Sequence, residues 1–374
     1  MAVSVVGRER RRRFALVALA VAVLVALPPL ARALPAPRVA VEPGRLRALI
    51  LGSAGQPYQG YAESSAVLGL PDLPNLARVS ALLNGTTQVR AWYDSPSRWR
   101  FDVISAADER GTYATPSGEY VWDYGANLRT LLVGGQGVRL PRAGDLLPPD
   151  LGRRLLGAAA GDPAAALPSR RVAGIVAAGL RLRPADPDTT IGRVDVWADP
   201  GSGLPLLVEV SARGAARPAV VSRFLELRLA RPTAPVLAPP HAPGSGFTVA
   251  AAPDVSADLP LVEVPAQLAG RPLRTPALAG VAGAATYGAG LSSFVAVRLP
   301  RGVGRPAEEA ATRAGGTAVA VPGDGGATLL RIPPLTLVIA RWPGARVSYL
   351  LAGLVSAAVL ERAAAGLVPA EAAP

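Results

Sequence analysis

The spacing of apolar and polar positions changes several times along the chain. Residues 14–27 are an unbroken apolar run, directly after the cluster Arg8, Arg10, Arg11, Arg12 and Arg13. Pro28 and Pro29 end any helix there. Ala31, Arg32 and Ala33 then supply a small-x-small pattern suited to signal peptidase. Basic start, short apolar run and cleavage pattern are the layout of a secretory signal. The run is shorter than the roughly 20 residues of a typical spanning helix. A cleaved signal peptide and a retained N-terminal membrane anchor both fit residues 1–33. Under either reading the remaining chain lies outside the cytoplasm, secreted or anchored in the cytoplasmic membrane.

Leu46, Leu49 and Ile50 have helical spacing and predict a short helix over 44–52. From 58 to 133 the period becomes two. Trp99, Phe101 and Val103 alternate with Arg100 and Asp102, so the three apolar side chains share one face of a strand. Turn clusters at 94–97, 115–118 and 125–127 separate the strands and predict an antiparallel meander. Pro148, Pro149 and Asp150 open a helix with Leu151, Leu155 and Leu156 on one stripe. Strands follow over 172–182, 191–198, 204–210 and 224–229. In the second of these, Val194, Val196 and Ala198 oppose Arg193, Asp195 and Trp197.

Residues 231–246 hold five Pro and the single His, a composition that buries too little apolar surface to order itself and reads as a linker. Phe247 then opens a smaller unit. Strands are predicted over 291–299 and 329–340, the latter with Pro333 and Pro334 at an edge or bulge. Residues 301–328 read as loop. A closing helix follows Ser356 as N-cap, with Val359, Leu360 and Ala363 on one face. The organisation is an export segment at 1–33, a large unit at 44–230, a Pro-rich linker at 231–246 and a smaller unit at 247–366.

Composition narrows the function. With no Cys, the chain has neither disulfides nor a lipobox cysteine, so packing alone must stabilise it outside the cell. The 39 basic residues are all Arg, and the net charge is +12. They are dispersed rather than gathered into a stripe, which argues against a nucleic-acid surface. A moderately basic exterior could favour an anionic membrane surface, but the scattering of the charges argues against that reading as well.

The chemistry-bearing residues exclude many enzymes. His241 sits among prolines, without the fixed neighbour that acid–base catalysis needs. There is no Cys nucleophile, no Lys for a Ser–Lys dyad, no His/Cys cluster for zinc and no phosphate-binding Gly motif with Lys. Asp186, Asp188 and Asp195 do not have the ligand spacing of an EF-hand and read as turn carboxylates. Asn84, Gly85 and Thr86 form a sequon, but also a hairpin-type turn, which is the preferred reading. No cofactor or metal is implied, and the chain reads as a non-enzyme. A hydrolase working through carboxylates alone would need two facing acids in a cleft.

Four of the five Trp lie in the first large unit. Two readings of its strand aromatics stay open. One is an ordinary sheet core. The other is an apolar cavity under a curved sheet, with Trp92, Trp99, Phe101, Val103 and Trp122 as its candidate lining, open to a lipid or to a partner's apolar segment.

One stretch is more specific. Trp197, Asp199, Ser202, Gly203, Leu204, Pro205 and Leu206 resemble the W-x-D-x-x-T/S-G-L-P-L hairpin of the LolA and RseB/MucB superfamily. More weakly, Tyr287, Gly290, Leu291 and the strand after them are similar to the opening of the small C-terminal domain of RseB-like proteins, which single-domain LolA proteins lack. The resemblance implies an α+β fold: a LolA-like half-open antiparallel β-barrel with a helical lid, plus a smaller C-terminal β-rich domain. It also implies a non-catalytic extracytoplasmic binder that regulates a membrane anti-sigma factor in response to an envelope or lipid signal. Carriage of lipid or lipoprotein, as in LolA, is the alternative. The expected partners are therefore a membrane anti-sigma factor or an acyl-chain ligand, at the membrane and without nucleic acid.

Overall fold

Strands rich in β-branched and aromatic residues, separated by short turn clusters, assemble into one large sheet. The computed structural model describes residues 14, 17, 37–71, 77–104, 109–134, 140–241, 243–252, 265–274, 284–300, 302–344 and 346–367. The chain divides into Met1–Arg38 and Val39–Pro374. In the first unit Phe14 and Val17 are helical and exposed. The rest of the expected export segment lies outside the described residues. No helix among the described residues is long and apolar enough to cross a membrane.

In the second unit, β1 (Tyr58–Ala66) joins two meanders. The first comprises β2 (Thr86–Ser95), β3 (Arg98–Ile104), β4 (Glu109–Thr115), β5 (Gly118–Asp123) and β6 (Leu128–Val133). The second comprises β7 (Ala164–Val172), β8 (Ile175–Leu182), β9 (Ile191–Ala198), β10 (Pro205–Ala212) and β11 (Val220–Arg228). With β12 (Gly246–Ala251) they make a 12-stranded sheet ordered β12-β6-β5-β4-β3-β2-β1-β11-β10-β9-β8-β7, whose end strands do not pair with each other. All neighbours are antiparallel except β12, which runs parallel to β6.

Two helices fill the concave side. In α1 (Pro43–Gly52) the first turn is fixed by Pro43 and by the Glu42 carboxylate, which accepts the Gly44 and Arg45 amides at 2.8 and 2.7 Å. It buries Leu46 and Ile50. A single 3₁₀ turn, Ala143–Leu146, leads into the second inner helix (Pro148–Ala158). The Leu146 carbonyl of that turn accepts the Ser64 hydroxyl at 2.9 Å and the Ser222 hydroxyl, which pins the helical segment to β1 and β11. The intervening short helix, α2 (Ala77–Leu83), precedes β2, so the inner helix is α3. Leu46, Ile50 and Leu156 share one core with Leu180, Val194, Val196 and Val208.

The smaller sheet contains β15 (Ala284–Tyr287), β16 (Phe294–Arg298), β17 (Thr317–Ala320), β18 (Gly326–Ile332), β19 (Leu335–Trp342) and β20 (Val347–Gly353), in the order β15-β16-β20-β19-β18-β17. A two-stranded ribbon, β13 (Gln267–Leu268) and β14 (Arg271–Pro272), precedes it. Helix α4 (Gly304–Arg313) packs Ala307, Ala310 and Ala311 on Leu337 and Ile339, while α5 (Ala357–Ala365) packs Val359, Leu360 and Ala363 with Val338 and Ala340. Alternate residues of β19 thus meet different helices, and both faces of the strand are buried. The fold is α+β: a half-open antiparallel β-barrel with a helical lid, and a smaller sheet C-terminal to it.

Several local expectations change. Residues 301–328 contain α4 and β17 rather than loop alone, because a stripe of Ala carries little apolar signal yet packs closely. The single strand expected over 329–340 is the hairpin β18–β19, turning at Pro333 and Pro334, which have no N–H to continue a ladder. A 3₁₀ turn (Gly290–Ser292) takes the first part of the strand expected from 291. Ser356 precedes α5, but its hydroxyl makes no capping bond; its amide donates to the Asp188 carbonyl at 2.7 Å. Asn84 closes α2 rather than a hairpin, and its amide brackets the Leu70 backbone from both sides at 2.7 and 2.6 Å. The Pro-rich stretch contains an ordered turn (Ala234–Leu237) that buries Leu237. On β9 the alternation holds, yet Asp195 and Trp197 are buried as well. Arg181 covers the carboxylate with bonds of 2.7 and 2.6 Å, and Arg170 lies 4.0 Å above the Trp197 ring.

Candidate functional site

Cross-strand register sorts the five candidate side chains onto two faces. Tyr93 stands opposite Trp99, Ala91 opposite Phe101, and Val89 opposite Val103. Tyr93, Ala91 and Val89 belong to the core that the helical segment covers, so Trp99, Phe101 and Val103 face the concave side. Trp92 stands opposite Arg100, and Trp122 opposite Gly111, in the alternate phase. Trp92 and Trp122 therefore lie on the convex face, and the five do not converge on one cavity.

On the concave face the Trp99 and Phe101 rings stack at 4.4 Å and 14°. Phe101 is in contact with the helical segment: a Cβ on Gly144 would stand 2.7 Å from its ring. Beyond Phe101 the sheet continues as rows. One runs Phe101, Thr112, Val121, Thr130; the next runs Trp99, Ala114, Glu119, Leu132. Trp99, Val103, Val121 and Leu132 are each only half-buried. They form a strip of apolar positions interleaved with Thr112, Thr130, Glu119 and Arg110, and two ion pairs lie within it, Arg110 with Asp123 at 2.8 Å and Arg142 with Glu119. The Arg110 Nε is buried and has no acceptor among the described residues.

The convex face holds a polar cluster instead. Arg100 lies between Trp92 at 4.5 Å and Tyr113 at 5.1 Å. Its guanidinium donates to both oxygens of buried Asp102 at 2.9 and 3.0 Å, to the Tyr124 hydroxyl at 2.7 Å and to the Val236 carbonyl at 3.3 Å. Burial works against its charge, but the bonds and charge of Asp102 outweigh that and raise its pKa. Burial pushes the Tyr113 phenol far above its ordinary value, with Arg100 opposing. With these partners Arg100 acts as a brace that ties the convex face to the 234–237 turn. That Arg100 and Asp102 share a face follows from their spacing of two; the Val236 contact does not.

A third feature joins the two sheets. The β8–β9 loop reaches the smaller sheet, where the Thr189 hydroxyl donates to the Leu354 carbonyl at 2.8 Å and the Leu291 carbonyl at 3.1 Å. Arg271 donates to Asp188 at 2.9 Å, to Asp186 at 3.5 Å and to the Ser292 hydroxyl at 3.1 Å. Asp186 and Asp188 are thus fastening groups, which adjacent sequence could not reveal because Arg271 is more than 80 residues away. An open cleft of about 300 Å³ beside them is lined by Ala158, Gly161, Asp162, Asp186, Gly290 and Ser292. Among the described residues no three side chains of His, Cys, Asp or Glu are grouped to hold a metal ion, and His241 is exposed.

No family model and no curated protein matches the chain. Among solved structures the chain is similar to MucB in complex with MucA(peri), at 15% identity over 86% of this chain and 97% of that one, TM-score 0.47. The MucA/MucB complex of Pseudomonas aeruginosa matches at 17% identity over 87% and 97%, TM-score 0.47. A LolA superfamily protein of Nitrosomonas europaea matches at 12% identity over 54% and 99%, TM-score 0.23.

Proposed function

We propose that the protein is an extracytoplasmic, non-catalytic binding protein. Its concave strip holds an apolar segment of a membrane-bound partner, of the anti-sigma-factor kind that the hairpin at 192–206 implies by resemblance. The observation that carries the reading is the strip of half-buried Trp99, Val103, Val121 and Leu132 beyond the helical lid. Apolar area of this kind gains about 25 cal/mol per Å² when a ligand removes it from water. The Arg cluster and apolar run at the N-terminus support a place of work at the outer face of the membrane.

The test is photocrosslinking in cells from a benzoylphenylalanine placed at Val121. Adducts to a membrane protein whose cytoplasmic part binds a sigma factor are the expected result. Adducts to lipid or to lipoproteins would replace regulation by carriage. A site on Leu225, exposed on β11, serves as the background control. Equal labelling from both positions would sink the reading.

A further inference from the structure

The two ends of the large sheet are treated differently by the sequence. An edge strand presents unpaired backbone groups that another chain can join, and stable proteins usually block it. The β7 end is blocked three ways. Pro168 has no N–H, the register slips between Leu167 and Arg170, and Ser169 exchanges bonds with the Val39 backbone at 2.9 and 3.3 Å. The β12 end carries none of these devices. Its residues Gly246, Phe247, Thr248, Val249, Ala250 and Ala251 include neither Pro nor a charge.

The geometry of β12 says which groups are open. The Gly246 amide donates to the Asn127 carbonyl at 2.9 Å, and the Ala252 amide to the Val133 carbonyl at 2.8 Å. A residue's N–H and C=O point to the same side of a strand, and the side alternates. The even-numbered residues therefore bond β6, and Phe247, Val249 and Ala251 aim their N–H and C=O at the outer edge, where no strand among the described residues pairs with them. Phe247 and Val249 are 54% and 52% exposed, far more than core-facing strand residues. Arg129 stands between the Phe247 ring at 4.9 Å and the Tyr120 ring at 6.0 Å, and it makes no ion pair among the described residues. A half-exposed guanidinium that makes no ion pair among the described residues, beside apolar side chains and in a chain of net charge +12, favours an acidic neighbour.

We infer that β12 is a docking edge for an extended segment of another polypeptide, alternating apolar and acidic residues, which adds a thirteenth strand to the sheet. Backbone bonds to Phe247, Val249 and Ala251 give it purchase, its apolar residues lie over Phe247 and Val249, and a carboxylate meets Arg129. The edge is separate from the concave strip and does not depend on the function proposed for that strip. Failure of the Val121 crosslinks leaves the edge standing, and failure of the assay below leaves the strip standing.

The probe is a labelled peptide of alternating valine and glutamate, with valine–lysine as the control, titrated against the full chain by fluorescence anisotropy. The valine–glutamate peptide should bind and the lysine peptide should not. Arg129→Glu should weaken the first by about tenfold or more and admit the second. Val249→Pro removes an outward N–H without touching the β6 ladder and should abolish binding. On the unmutated protein, bound peptide should slow amide exchange at Phe247, Val249 and Ala251 and leave Thr248 and Ala250 unchanged. No binding of the acidic peptide, binding indifferent to Arg129→Glu, or binding without protection of those three amides each overturns the inference.

Discussion

Gly203 turns the β9–β10 hairpin at φ +72°, directly against the backbone carbonyl of Leu49 in α1. The rest of the turn holds it there. The Asp199 carboxylate accepts the Ser202 amide and hydroxyl, both at 2.7 Å, and the Gly203 amide donates to the Asp199 carbonyl at 2.9 Å. The most specific motif of the sequence is thus a seat for the first inner helix. A Cβ at 203 would overlap Leu49 and strain a left-handed backbone, so Gly203→Ala should destabilise by more than about 3 kcal/mol. Gly201→Ala, where a Cβ meets only the Asp199 carboxylate at 3.4 Å, should cost well under about 1 kcal/mol. Urea unfolding of the two variants checks the difference; equal midpoints would remove the seat from the account.

Arg100→Ala should leave the Asp102 carboxylate buried and unpaired, at a cost on the order of 3–5 kcal/mol. Arg100→Lys keeps the charge but loses the forked contact and the stacking between Trp92 and Tyr113, so it should recover only part of that. Because Arg100 also holds Val236, both variants should speed proteolysis within 231–246. A lysine variant as stable as the parent protein would show that the fork is not needed.

Thr189→Val preserves shape and removes the hydroxyl that serves the Leu354 and Leu291 carbonyls. The Leu354 carbonyl keeps the Thr190 amide, so the loss falls on the Leu291 carbonyl and on the Ile191 amide, which donates to the hydroxyl at 3.3 Å, and should cost about 1–3 kcal/mol. The loss should appear first as faster amide exchange at Thr190, whose N–H donates to Leu354 at 3.0 Å, before the sheets themselves exchange faster. Uniform acceleration across the chain would contradict a local fastening role.

Asp186 supplies a pH dependence at the same joint. Burial opposes its ionisation, but bonds from Ser292 and the Asp188 amide, with the Arg271 charge, outweigh this and lower its pKa below 3.8. A lowered folded pKa means the stabilisation is complete above the ordinary value and is lost as pH falls through the folded one. Asp186→Asn should therefore reduce stability at neutral pH and flatten the decline toward about pH 3. Denaturant unfolding at both pH values measures it. An unchanged acid slope would assign the decline to other carboxylates.

Much of the architecture was legible because it rests on neighbours in sequence. The period of two at Trp99, Phe101 and Val103, the turn clusters and the Pro148-Pro149-Asp150 start all encode local geometry, and each element stands where the pattern put it. The helix at Gly304–Arg313 was hidden because Ala residues define its buried stripe, and the β7 strand because Pro168 and Arg170 interrupt its pattern.

What the sequence by itself determined is which residues alternate, where the chain turns, and that neither Cys nor Lys can take part in its chemistry. The tertiary structure alone decided which face each strand residue meets. Through packing of the distant helical segment on one face of the β2–β3 hairpin, it turned Trp99 inward and left Trp92 on the opposite side. It also brought Arg271 to Asp186 and Asp188, and laid β12 parallel to β6 with its outer edge unpaired among the described residues. Local spacing fixes only the relative phase of side chains within a strand; which phase faces inward depends on what the rest of the chain packs against it.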